Sequence, residues 1–164
     1  MAAVDSPIGV LTLARGPNGL LRLALAGETP QSLADDLRTR LGVRVAENDA
    51  ALADVRDQLD RYFAGELQEF DVPLDWTLAH GFRRACCEAM TRIPYGTTIT
   101  YAELATEAGS PRAVRAAGQA CATNPIAIIG PCHRVLATSG FGGFGGGLDQ
   151  KCALLALEGA LLLA

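Results

Sequence analysis

Apolar residues in the first half of the chain follow two rhythms. Ile8, Val10, Leu11 and Leu13 form one short apolar run, and Leu20, Leu21, Leu23 and Leu25 form another. Between them stands Gly16-Pro17-Asn18-Gly19, a cluster of turn formers, so the pair predicts a β-hairpin. Leu33, Leu37 and Leu41 then recur at helical spacing among Asp35, Asp36, Arg38 and Arg40, which predicts an amphipathic helix. Leu52, Val55, Leu59, Tyr62 and Phe63 repeat that pattern in a second helix closed by Gly65. Phe70 to Asp75, broken by Pro73, reads as extended and as a boundary between two lobes. Residues 1–75 therefore read as a small α/β lobe.

The second half is more helical. Phe82 to Met90 predicts a helix and Ile93-Pro94-Tyr95-Gly96 a turn. Thr100 is placed to cap a helix that starts at Tyr101. Gly109 interrupts it, and Ser110 with Pro111 has the chemistry of an N-cap and first helical residue, which predicts a further helix from Arg112 to about Thr123. Two short helices around a glycine turn resemble a helix-turn-helix. Arg112 and Arg115, three apart, would share one face of the second helix. Such pairs are often plain packing units, so this feature alone leaves DNA reading and packing both open.

Ile126 to Ile129 reads as a buried strand that ends at Gly130-Pro131-Cys132-His133-Arg134-Val135. Cys132 then has two readings. It is a buried inert thiol, or it is a nucleophile that needs a neighbouring base to raise its thiolate fraction. Adjacent residues on a strand point to opposite faces, so contact between Cys132 and His133 would need a bend or a bridging water. Glu158, in the otherwise apolar stretch from Ala153 to Gly159, is the candidate to orient His133; the alternative is a surface carboxylate at a helix end. Residues 140–147 contain six glycines and two phenylalanines. They form either a flexible hairpin or a loop able to approach a flat ligand closely.

Composition narrows the class. With 49% hydrophobic and 20% charged residues in 164, the chain can fold as one domain or two small lobes. No apolar run approaches the roughly 18–20 residues of a membrane span. The N-terminus MAAVDSPIGV has no basic region, so no secretion signal is expected, and five cysteines without framework or zinc spacing point to reduced thiols and a cytoplasmic location. A net charge of −4 and a pI near 5.1 argue at face value against a nucleic-acid partner. The distribution changes that picture: residues 1–75 carry 7 basic and 13 acidic side chains, residues 76–164 carry 7 and 5. The acidity belongs to the first lobe, and the second is mildly basic.

Taken together, Ile93-Pro94-Tyr95-Gly96, Tyr101, Arg115-Ala116-Ala117-Gly118, Asn124-Pro125, Pro131-Cys132-His133-Arg134-Val135, the glycine loop, Lys151 and Leu154-Leu155 with Glu158-Gly159 resemble the O(6)-alkylguanine-DNA alkyltransferase family. Asp5-Ser6-Pro7-Ile8-Gly9 and Tyr62-Phe63-Ala64-Gly65 extend a looser match into the first lobe. The resemblance implies an α+β or α/β protein. It would have a ribonuclease-H-like α/β lobe at 1–75 and a mostly helical, winged-helix-like lobe with the helix-turn-helix at 76–164. Cys132 would accept the alkyl group, activated through water by His133, which Glu158 orients. Arg115 would replace the flipped guanine in the stack, with Arg112 and Ala116 also on the DNA side. Tyr101 would crowd the target phosphate and protonate the leaving base. Asn124 would be the hinge of the recognition helix, Val135, Gly145, Phe144 and Cys121 would belong to the base pocket, and Arg134 would tie the motif to the domain. The implied partner is alkylated double-stranded DNA. No cofactor, metal, membrane or obligatory protein partner is implied, and the protein would be a monomer turning over once.

Three departures stand out. Phe144 occupies the place of a usual tyrosine, Gly130 that of a bulky apolar residue, and Cys86-Cys87 that of an apolar residue and a tryptophan. Gly130 is expected to enlarge or loosen the pocket. Rival readings are a non-enzymatic alkyltransferase-like protein, which lacks the acceptor cysteine, a transcription factor, and a cysteine hydrolase.

Overall fold

A computed structural model describes residues 1–161. The chain forms two compact units, one spanning Met1–Asp75 and the other beginning at Trp76.

The first unit is built on an antiparallel sheet in the order β1 (Ala2–Val4), β2 (Leu11–Gly16), β3 (Gly19–Ala24). The hairpin of β2 and β3 pairs Leu13 with Leu23 and closes between Gly16 and Gly19. Its strands begin at Leu11 and Gly19, so Ile8 and Val10 lie outside them, and Val10 is exposed. Gly19, with φ +140°, is required: a Cβ there would run into the Pro73 carbonyl, whose oxygen accepts the Leu20 N–H at 2.7 Å. Helix α1 (Pro30–Leu41) starts with a capping box between Thr29 and Ser32 and stops at Gly42, φ +67°. Helix α2 (Ala53–Phe63) follows a short 3-10 turn at Ala50–Leu52. Leu33, Leu37, Leu52, Val55, Leu59 and Tyr62 are all buried with Leu11, Leu13, Leu20 and Leu23 of the sheet. The periodic apolar positions supply most of this core, joined by Ala2, Val4 and Leu21.

The second unit opens with α3 (Gly81–Met90), which buries Cys86 and Cys87 completely. A two-residue strand, β4 (Ile99–Thr100), runs into α4 (Tyr101–Glu107), where Thr100 and Glu103 form a capping box. β4 pairs in parallel with β5 (Val135–Leu136), Ile99 opposite Val135. That pairing sets the start of α4, and hence Tyr101, beside the chain that leaves Cys132.

The next helix, α5 (Val114–Ala122), corrects two expectations. Ser110 does not cap it; Ala113 holds the N-cap position without a side-chain bond. Instead the Gly109 N–H donates to Thr106 and the Ser110 N–H to Ala105, with Gly109 at φ +91°. This is a Schellman ending that commits Ser110 to the end of α4. Arg112 therefore lies in the linking turn ahead of α5 and does not share a helical face with Arg115.

Ile126 to Ile129 is buried as expected, but it is a turn and not a strand. The Gly130 N–H donates to Ile126 and the Ile129 N–H to Ala127. Ile128 takes φ +69°, the one positive value for a non-glycine among the described residues. A β-branched residue adopts that conformation only where its surroundings impose it. The last helix, α6 (Leu148–Leu157), ends at Glu158.

Candidate active site

The turn carrying Cys132 is fixed by one side chain. Asn124 donates from Nδ2 to the Gly130 carbonyl at 2.6 Å and accepts the Ile126 N–H on Oδ1 at 3.1 Å, closing the loop at both ends. Cys132–Arg134 forms a 3-10 turn, with the Cys132 N–H on Gly130 and the Arg134 N–H on Pro131. Three residues per turn send the side chains of Cys132, His133 and Arg134 out in three different directions. The backbone does bend at the motif, but no direct hydrogen bond joins the Cys132 thiol to His133. Gly130 does not enlarge the pocket. A Cβ on it would lie 2.9 Å from the Ile126 carbonyl oxygen and 3.1 Å from the tip of the Trp76 ring, so tight packing excludes a side chain there.

His133 is fully buried, and its Nε2 lies 2.8 Å from Glu158 Oε1. Arg134 grips the same carboxylate with two bonds of 2.8 Å, donates to the Ile93 carbonyl at 2.6 Å, and lies over the Tyr95 ring. The ion pair with Arg134 keeps Glu158 ionised, and an ionised carboxylate only accepts. Nε2 of His133 therefore carries the hydrogen and Nδ1 the lone pair. Nδ1 is buried and has no hydrogen-bond partner among protein atoms. Burial holds the imidazole below its ordinary pKa of 6.5, against the pull of Glu158, so the ring rests as a neutral base.

Burial likewise pushes the Cys132 thiol above its ordinary value, opposed by a hydrogen bond from Asn124, the Lys151 charge and the N–H groups of Cys132 and His133. Cys87, with no such hydrogen bonds, is pushed up to about 12. Cys132 is held as a thiol at rest and has donors in place for a thiolate.

Cys132 opens into a cavity of about 270 Å³ lined by Tyr101, Gly118, Cys121, Ala122, Gly143, Phe144 and Gly145. Gly142 lies against the Tyr101 ring so closely that a Cβ on it would sit 2.6 Å from the hydroxyl. The Tyr101 hydroxyl also bonds the backbone of Gly143, and burial raises its pKa. Lys151, buried in α6, donates to the carbonyls of Val135 at 2.7 Å, Gly143 at 3.1 Å and Phe141.

The expected site residues thus fall into groups. Cys132, Tyr101, Cys121, Phe144 and Gly145 line the cavity, and His133, Glu158 and Asn124 stand behind the thiol turn. The Val135 carbonyl is bonded to Lys151. Arg112, Arg115 and Ala116 are exposed and outside the cavity wall. Sequence reasoning assigned no role to Gly118, Ala122 or Lys151. The spacing of Gly118, Cys121 and Ala122 on one helical face was the available signal for the first two. For Lys151 it was being the sole lysine in a chain with thirteen arginines. No cluster of three His, Cys, Asp or Glu side chains able to hold a metal ion occurs among the described residues, and no helix there is long and apolar enough to cross a membrane.

Comparison with known proteins matches this arrangement to one family. The ribonuclease-like domain of 6-O-methylguanine DNA methyltransferase matches residues 1–76, and the DNA-binding domain of the same proteins matches 81–160. A methylated-DNA–protein-cysteine methyltransferase of Mycolicibacterium paratuberculosis is 47% identical over 94% of this chain and 89% of its own length. The crystal structure of Mycobacterium tuberculosis O6-methylguanine methyltransferase superposes with a TM-score of 0.80 at 44% identity, covering 99% of this chain and 93% of that one. The M. tuberculosis protein in complex with DNA gives the same TM-score and identity over 96% and 91%.

Proposed function

The chain belongs to the 6-O-methylguanine DNA methyltransferase family, and from that premise we propose that it repairs alkylated DNA by moving the alkyl group from O6 of guanine onto its own Cys132. It is a methylated-DNA–protein-cysteine methyltransferase, and DNA is its partner. The observation that carries the assignment of the acceptor is the buried Glu158–His133 pair beside Cys132 in the chain; Cys121, the other thiol that lines the cavity, has no such base next to it in the sequence.

A guanine inside the duplex cannot offer its O6 substituent to a buried sulfur, so the nucleotide leaves the stack, at a cost of a few kcal/mol that poor pairing of the damaged base reduces. Exposed Arg115, in the first turn of α5, fills the gap, with Arg112 on the preceding turn and Ala116 alongside it. Tyr101 crowds the target phosphate. Backbone groups of Cys132, Val135 and Gly145 read the guanine edge, and Phe144 and Cys121 wall the cavity. Asn124 is the hinge between α5 and the thiol turn.

The chemistry then follows from the protonation states. The lone pair on His133 Nδ1 takes the Cys132 proton through a bridging water, and Glu158 stabilises the imidazolium so formed. The thiolate attacks the alkyl carbon, the carbon–oxygen bond breaks, and Tyr101 protonates the departing guanine. The product is a thioether that water does not cleave. One protein therefore repairs one base, as a cytoplasmic monomer, without cofactor or obligatory protein partner. Residues 76–164 form the DNA-binding and acceptor domain.

Incubation with a duplex containing O(6)-methylguanine, followed by intact mass measurement, tests this. A stoichiometric gain of a single methyl group, lost in Cys132→Ser, is expected. An unchanged wild-type mass overturns the reading.

A further inference from the structure

Lys151 is the one fully buried lysine in the described structure, and the mechanism above gives it no task. Burying an ammonium group is costly unless every proton finds an acceptor. Here all three protons are directed at backbone carbonyls, those of Val135, Phe141 and Gly143. No carboxylate is paired with it among the described residues, so the charge is held by main-chain dipoles alone.

The acceptors are not scattered. Val135 directly follows the turn that carries Cys132, while Phe141 and Gly143 belong to the glycine loop. Gly143 itself lines the cavity and precedes Phe144 and Gly145, which line it too. With six glycines in residues 140–147, the loop has almost no side-chain packing of its own and a large conformational entropy to lose. Hydrogen bonds from a charged donor are stronger than those from a neutral one.

We propose that Lys151 is a positioning residue for alkyl transfer: its buried ammonium clasps the glycine loop to the strand after Cys132 and so holds the wall against which the extruded base is placed. The inference rests on the reading of Cys132 as the acceptor. The clasp acts on the base once it is in the cavity. It leaves duplex binding through α5 untouched.

The test uses the full chain with Lys151→Met, which keeps the side-chain length and removes the three donors, and with Lys151→Gln. Amide hydrogen exchange is read on residues 138–146 and, for reference, on α4 and α5. Faster exchange confined to the loop is expected. The limiting single-turnover rate should fall about ten- to a hundredfold, as for a reactant displaced on the ångström scale. The half-saturating duplex concentration should stay unchanged, and the loss should be the same on the free O(6)-methylguanine base. Carbamidomethylation of Cys132 by iodoacetamide needs no placed base, so it should slow less than transfer does, by no more than the loss of the Lys151 charge near the thiol accounts for. Equal slowing of the two reactions would overturn the inference.

Unchanged loop exchange, or a rate loss seen only with duplex, overturns the inference. Global unfolding of both variants also overturns it, by assigning Lys151 to the stability of the whole unit. If the wild type transfers no alkyl group, the reading of Cys132 fails while the exchange data still report on the clasp.

Discussion

The two units of this protein handle charge in opposite ways. In Met1–Asp75 most ion pairs are surface features: Arg15 with Asp54, Arg38 with Asp35, Arg40 with Asp36 and Arg61 with Asp57 all remain substantially exposed, and Arg22 with Glu28 is half-buried. The core beneath them is mainly apolar, with Thr12 and Asp75 as its buried polar side chains. The second unit carries fewer charges yet buries four ionisable side chains, His133, Arg134, Lys151 and Glu158. Exposed pairs contribute little to stability, whereas a buried charge must be fully partnered to be tolerated. A protein accepts that demand where chemistry needs it. The contrast separates a unit whose charges lie mostly at its surface from one that buries them around Cys132.

The sharpest way to break that contrast is Glu158→Gln. It strips Arg134 of its counter-charge and turns amide hydrogens toward its donors. Denaturant unfolding should show a loss of about 3–5 kcal/mol, as for other buried pairs deprived of one partner. A loss under about 1 kcal/mol would place this network in the same class as the surface pairs.

Changing pH gives a smaller effect with a definite sign. Folding holds the His133 pKa below 6.5, so in the pH range below that value the unfolded chain binds a proton that the folded protein refuses. The stability difference between wild type and His133→Gln should therefore be constant above pH 6.5 and shrink as pH falls below it. The acid limb of the transfer rate should also lie below 6.5, since the neutral imidazole persists there. An acid limb at or above that value would contradict a desolvated base. At the other extreme, Arg38→Ala on α1 should change stability by less than about 1 kcal/mol in the same unfolding assay.

Much of the fold was legible in the pattern. Leucines at helical spacing mark α1 and α2, Gly16-Pro17-Asn18-Gly19 marks the hairpin turn, and Thr100 marks the start of α4. Each signal is local, because a cap or an apolar stripe is decided within a few residues. The misreadings occurred where a second partner, local or distant, competed for a group or its space. Ser110 had the chemistry to cap α5, but its N–H completes the end of α4. Ile126 to Ile129 had the apolarity of a strand, but Asn124 folds the segment into a turn. Gly130 looked like missing bulk, although Trp76, far away in sequence, occupies that space.

What the sequence determined by itself was the inventory: a cysteine and histidine side by side, a glutamate among leucines, a glycine-rich loop, and acidity confined to the first 75 residues. Tertiary structure decided how the inventory is used. Only the 3-10 turn at Cys132 lets neighbouring residues face the cavity and the buried base separately, and only the packing of α6 brings Glu158 and Lys151 to that turn from 24 and 16 residues beyond Arg134 and Val135. Periodicity encodes what is buried, because burial is a property of one face of one element. It cannot encode which buried charges meet, because their pairing is fixed by contacts between elements distant along the chain.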